Sequence, residues 1–131
     1  MVRAKTPARC VLVSDITGLG GMPAGRYATG LGDLEVLENG KLVLAGQRDI
    51  LAGASQPIHL CVANVMRFAR VSLQTAVEMA STAPSRLIGE SDRGLEAGEA
   101  ANLVLFDLPK DEISPLCIRM TLNRGEVVYQ A

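Results

Sequence analysis

At 131 residues the chain is long enough to bury one ordinary hydrophobic core. Hydrophobic residues are 48% and charged residues 21% of it, a balance that excludes intrinsic disorder. Thirteen Lys and Arg against fourteen Asp and Glu leave a net charge of −1, and there are two Tyr, two Phe and no Trp, so neither a basic field nor a base-stacking platform exists and nucleic acid is excluded as a partner.

The first apolar run, Cys10-Val11-Leu12-Val13, predicts a short strand buried on both faces, as in parallel sheets and barrels. It ends at Ser14-Asp15. The next ten residues, Ile16 to Gly25, contain four glycines and a proline and predict a loop at the carboxyl end of that strand. Leu34-Glu35-Val36-Leu37 and Lys41-Leu42-Val43-Leu44 then flank Asn39-Gly40, a dipeptide suited to the positive φ angles of a type I′ turn, and predict a hairpin.

Helical periodicity follows. Ser55 can cap a helix that tolerates Pro57 in its first turn and turns Ile58, Cys61, Val62, Val65, Met66 and Ala69 to one side. Ser72 can cap a second helix with Leu73, Ala76, Val77 and Ala80 inward. Pro84 suits a fresh helical start, and Gly89 can end that piece. Beyond the glycine-punctuated stretch from Glu90 to Gly98, residues 102–107 read as a strand bounded by Pro109. Ile118, Met120 and Leu122, a turn at Asn123-Arg124-Gly125, and Val127-Val128-Tyr129 predict a terminal hairpin.

Cys10, Cys61 and Cys117 are odd in number and contain no C-x-x-C pair, which predicts buried, reduced thiols in a cytoplasmic protein. Neither a signal peptide nor a run long enough to span a membrane is expected. His59 is the sole histidine, so this chain by itself assembles no His₂ or His₃ metal centre, and its metal ligands are expected to be none. His59 reads as an ordinary helix residue, and Met22, Met66, Met79 and Met120 read as core filler. Asp15 stands out: a carboxylate that ends an apolar strand and enters a glycine-rich loop is the candidate catalytic group. The alternative is that it hydrogen-bonds its own turn, as aspartates favour doing.

Val13-Ser14-Asp15, the Gly-Met-Pro-Ala-Gly segment at 21–25, Leu51-Ala52-Gly53-Ala54-Ser55, Met79-Ala80 with Pro84-Ser85-Arg86, and Gly94-Leu95-Glu96-Ala97-Gly98 running into Ala101-Asn102-Leu103-Val104 resemble, together, the carboxyl-terminal part of a metal-dependent amidohydrolase, nearest the N-acetylglucosamine-6-phosphate deacetylase family. The resemblance implies an α/β fold: the last strand and helices of a (β/α)8 barrel over residues 9–89, and strands of a small β-sandwich over 94–131. A complete barrel needs roughly 250 residues, so the remainder is expected upstream of Met1. It also implies that Asp15 is catalytic, taking a proton from the attacking water and passing it to the departing amine. The main chain of Ile50, Leu51 and Ala52 would line the pocket for an N-acetylated amino-sugar phosphate. A divalent metal, zinc or similar, is implied for the intact parent.

The family's glutamate and histidine ligands have no counterparts here, so the 131 residues alone are expected to be inactive. The small residues at 52–54 also fit a tight loop-to-helix junction with no ligand. Two other readings stand beside the deacetylase segment: a non-catalytic binding or assembly module, and a piece of another amidohydrolase with a different substrate. The deacetylase segment and the binding module both predict a homo-oligomer, because an apolar strand lacking neighbours invites pairing with a second copy.

Overall fold

A computed structural model describes residues 1–90, 95–108 and 114–131. Gly94 of the amidohydrolase-like motif and the strand-ending Pro109 therefore lie outside the described residues. The chain forms two compact units: Val13–Ile58, and Met1–Leu12 together with His59–Ala131.

Val13–Ile58 is built on a four-stranded antiparallel meander: β1 (Gly25–Thr29), β2 (Gly32–Val36), β3 (Leu42–Leu44) and β4 (Gln47–Leu51), hydrogen-bonded in that order. Leu34, Val36 and Leu42 form its buried centre, with Leu19, Tyr27, Leu44 and Ala52 packed around them. Leu42 pairs with Val36 and Leu44 with Leu34, so these four stack on one face, as the two-residue period of a strand requires, while Val43, fully buried, pairs with Glu35 on the other. The β2–β3 hairpin forms where the sequence predicts it, by a different turn. Asn39 does not take a positive φ. Glu38, Asn39 and Gly40 make a three-residue loop in which Gly40 alone is left-handed (φ 76°), and the Gly40 N–H donates to the Leu37 carbonyl at 2.8 Å.

The second unit contains α1 (Val2–Lys5), a short 3-10 turn at Pro7–Arg9, α2 (Ile58–Ala69, whose first residue belongs to the other unit), α3 (Leu73–Ala80), α4 (Thr82–Leu87), and the antiparallel sheet β5 (Leu103–Asp107), β6 (Cys117–Asn123) and β7 (Glu126–Gln130). Val62 of α2, Ala76 of α3 and Leu116 are its buried centre, with Leu12, Val65, Met66, Phe106 and Ile118 against them. Ser72 caps α3 as expected, its hydroxyl accepting from the Thr75 N–H at 3.1 Å. α4 closes in a Schellman arrangement: Gly89 (φ 78°) donates to Arg86 and Glu90 to the Ser85 carbonyl. Arg124 and Gly125, both left-handed, make the two-residue turn between β6 and β7.

Several expectations are corrected. Residues 10–13 are not a paired strand: Cys10 is buried, but Val11 and Val13 are 37% and 64% exposed, because a parallel strand forms only between neighbours and none flanks it among the described residues. Its Leu12 N–H donates instead to the Met79 carbonyl of α3 at 2.8 Å, and Met79, rather than Val77, is buried on that helix. The α2 helix opens at Ile58, leaving Ser55 outside it. Met22 is exposed, because it lies on the loop before β1, and Cys117 is exposed at the start of β6. Cys61 is half-buried, and its burial pushes the thiol above its ordinary pKa.

Candidate functional site

Asp15 stands exposed at the point where the chain leaves the Cys10-to-Ser14 segment, and its backbone takes a φ of 51°. That left-handed conformation is unfavourable for a residue with a Cβ, though least so for Asp and Asn. Immediately after it, Ile16 pairs in a parallel bridge with Ala54, and the Thr17 N–H donates to the Ala54 carbonyl at 2.9 Å. The Gly20 N–H then donates back to the Thr17 carbonyl at 2.9 Å, so the glycine-rich loop turns on itself.

The other sequence-predicted residues arrive by a separate route. Ile50 and Leu51 end β4, an edge strand whose main chain pairs on one side with β3. Their side chains are 46% and 66% exposed. Ala52 is half-buried, packs on the sheet core, and donates its N–H to the Leu42 carbonyl at 2.9 Å. The Ile16–Ala54 bridge therefore brings the Asp15 turn alongside the segment leaving β4. Sequence reasoning identified both segments separately; the bridge joins the residue after Asp15 to Ala54, two residues beyond the 50–52 segment.

Two features were missed. The β1 and β4 strands carry too many glycines, charges and polar residues to read as strands, yet they complete the sheet. Glu35, on the face of β2 opposite Leu34 and Val36, is buried and receives a 2.7 Å charge-assisted hydrogen bond from Arg48 of β4, across β3. The alternation of β2 is the only signal that could have found it. A groove of about 420 Å³ is lined by both residues together with Ala24, Gly25, Glu38 and Asn39, and it excludes Asp15 and the 50–52 segment.

Among the described residues, no three His, Cys, Asp or Glu side chains gather as a metal site, and no helix is long and apolar enough to cross a membrane. His59 is half-buried in the first turn of α2. The described residues therefore do not by themselves fit the divalent ion that an amidohydrolase implies.

No protein-family model matches the chain. It is 31% identical over 127 residues to the human N-acetylglucosamine-6-phosphate deacetylase, a match that covers 95% of this chain and 29% of that enzyme. It is 34% identical over 101 residues to a protein of Escherichia coli K12 described as a putative N-acetylgalactosamine-6-phosphate deacetylase, covering 76% of this chain and 59% of that protein. The crystal structure of N-acetyl-D-glucosamine-6-phosphate deacetylase from Mycobacterium smegmatis superposes with a TM-score of 0.80 at 26% identity, over 98% of this chain and 33% of that one. A mutant of that enzyme has been solved in complex with N-acetyl-D-glucosamine-6-phosphate. The chain spans under a third of the length of its N-acetylglucosamine-6-phosphate deacetylase relatives.

Proposed function

We propose that this chain is the carboxyl-terminal segment of a deacetylase acting on an N-acetylated amino-sugar phosphate. Residues 9–89 would supply the last barrel strand with its loop and helices, and residues 94–131 the sandwich strands. The observation that carries this reading is the likeness to such deacetylases in both sequence and fold along nearly the whole chain, joined to an exposed aspartate one residue before the Ile16–Ala54 bridge.

In that reading Asp15 is the proton carrier. An ionised carboxylate facing the amide accepts a proton from the attacking water and returns it to the nitrogen as the C–N bond breaks, so the amine leaves neutral; the second water proton stays on the acetic acid formed and is lost to solvent as acetate is released. The free edge of β4 would offer main-chain donors and acceptors to the sugar, which suits an edge strand whose N–H and C=O groups on one side have no ladder partner. The divalent metal of the parent would be held by residues outside those described here, and no step is drawn through it. We place the protein in the cytoplasm.

A chimaera tests this directly: these 131 residues replace the matching third of the M. smegmatis enzyme, and acetate release from N-acetylglucosamine 6-phosphate is followed alongside N-acetylgalactosamine 6-phosphate. The chimaera is expected to turn over. Asp15→Asn is expected to lower kcat by about 10²–10⁴-fold, the span of a positioned acid–base group. Full activity of the Asn variant sinks the assignment, and enzyme-like acetate release by the 131 residues alone removes the need for outside ligands.

The same reading has the isolated chain self-associate. β1 and β4 are edge strands, and Val13, Leu31 and Leu51 are 64%, 92% and 66% exposed, a combination that invites pairing between copies. Sedimentation velocity is expected to give a dimer or larger, and a single monomeric species at tens of micromolar contradicts it.

A further inference from the structure

The two residues that follow Asp15 are gripped by glycines on both sides. Most described glycines have open space where a Cβ would stand, and Gly25 would meet Tyr27 only at ordinary contact distance. Gly20 and Gly53 are different. A Cβ on Gly20 would collide with Cγ1 and Cδ1 of Ile16, and a Cβ on Gly53 would stand 2.5 Å from Cγ2 of Thr17. Close approach of this kind is what glycine permits; a Cβ at either position requires the Ile16 or Thr17 side chain to shift.

The side chain of Thr17 adds a second observation. Its Oγ1 is buried and has no hydrogen-bond partner, an arrangement that costs free energy. What keeps Thr17 in place is therefore its methyl group seated over Gly53 and its N–H bound to Ala54, not its hydroxyl. Directly upstream, Asp15 is left-handed at φ 51°, a conformation that persists when the surroundings over-determine it.

We propose that Gly20 and Gly53 form a two-sided clamp on Ile16 and Thr17 that fixes the left-handed turn at Asp15, which makes Ile16 and Thr17 positioning residues for that carboxylate. The functional meaning rests on Asp15 being the proton carrier, whereas the clamp is a statement about backbone geometry. The two can fail separately.

The test is NMR on the 131-residue chain, reading the three-bond HN–Hα coupling of Asp15, which reports its φ, and the exchange rate of the Thr17 amide. The Leu37 and Gly40 amides of the β2–β3 hairpin control for folding. Gly20→Ala adds only a methyl group, since the φ of Gly20 is not positive. It is expected to change the Asp15 coupling and speed Thr17 exchange by about tenfold or more, with Leu37 and Gly40 unaltered. Adding Ile16→Ala, which removes both colliding atoms, is expected to restore the two readouts. Gly18→Ala, in the same loop with nothing within 4 Å, is expected to change neither.

For the other jaw, Gly53→Ala is expected to act like Gly20→Ala, and Thr17→Ser to relieve it in part, because the φ of 134° at Gly53 adds strain of its own. An Asp15 coupling unchanged by Gly20→Ala, or one that Ile16→Ala does not bring back, overturns the clamp. If Gly20→Ala unfolds the hairpin, recovery by Ile16→Ala supports the clamp and its absence overturns it. None of these readouts depends on acetate release.

Discussion

The two compact units reach order by different means. In Met1–Leu12 with His59–Ala131, apolar side chains from α2, α3 and the approach to β6 meet at Val62, Ala76 and Leu116, so burial between helices and a sheet does the work. In Val13–Ile58, the buried apolar residues Leu34, Val36, Leu42 and Val43 all come from the two neighbouring strands β2 and β3, and backbone geometry carries more of the specification: left-handed turns at Gly40 and Gly46, and close approaches at Gly20 and Gly53. The lesson is that the unit bearing the candidate catalytic group is defined by where side chains are absent, and the other by where they interlock.

Substitutions can break or sharpen that contrast. The largest expected effect on stability is Leu42→Ala, which empties the middle of the smaller cluster; at 1% exposure it should cost about 2–5 kcal/mol, measured by urea unfolding. A cost under about 1 kcal/mol in that experiment would mean that backbone geometry alone sustains the meander. Ala76→Leu sharpens the other side: Ala76 is fully buried, so the added methylenes should overpack the helix–sheet core by about 1–3 kcal/mol, read as a lower melting temperature. The smallest effect is expected from Ser72→Ala, which removes the α3 cap and should lower stability by about 1 kcal/mol by the same measurement, with Ser72→Asp close to neutral.

The contrast also explains what could be read from the residues alone. The helices near Ile58, Leu73 and Thr82 and the terminal strands follow from apolar period, caps and breakers, which are local properties. The β2–β3 hairpin is legible for the same reason, although its turn is not, because Asn-Gly is compatible with both two- and three-residue loops and the choice depends on cross-strand register. β1 and β4 are invisible in the sequence because they are edge strands: Gly25-Arg26-Tyr27-Ala28-Thr29 and Gln47-Arg48-Asp49-Ile50-Leu51 need cover on fewer sides and carry little apolar pattern. At the site, Asp15 and the 50–52 segment are visible as residue types in suggestive places. The Ile16–Ala54 bridge, which joins the chain just after each of them, is a long-range pairing that no local rule supplies. Thr17 escapes notice because its importance lies in a methyl contact with a glycine 36 positions away.

The open margin of β4 carries a consequence for how this surface can change over time. Hydrogen-bonding groups offered by a polypeptide spine are the same whatever the side groups at Ile50 and Leu51, so most replacements there leave the offered pattern intact. On the proposed function, recognition built in this manner would be written in shape, not in residue identity, and lineages would be free to diverge widely at those positions without forgetting what they hold.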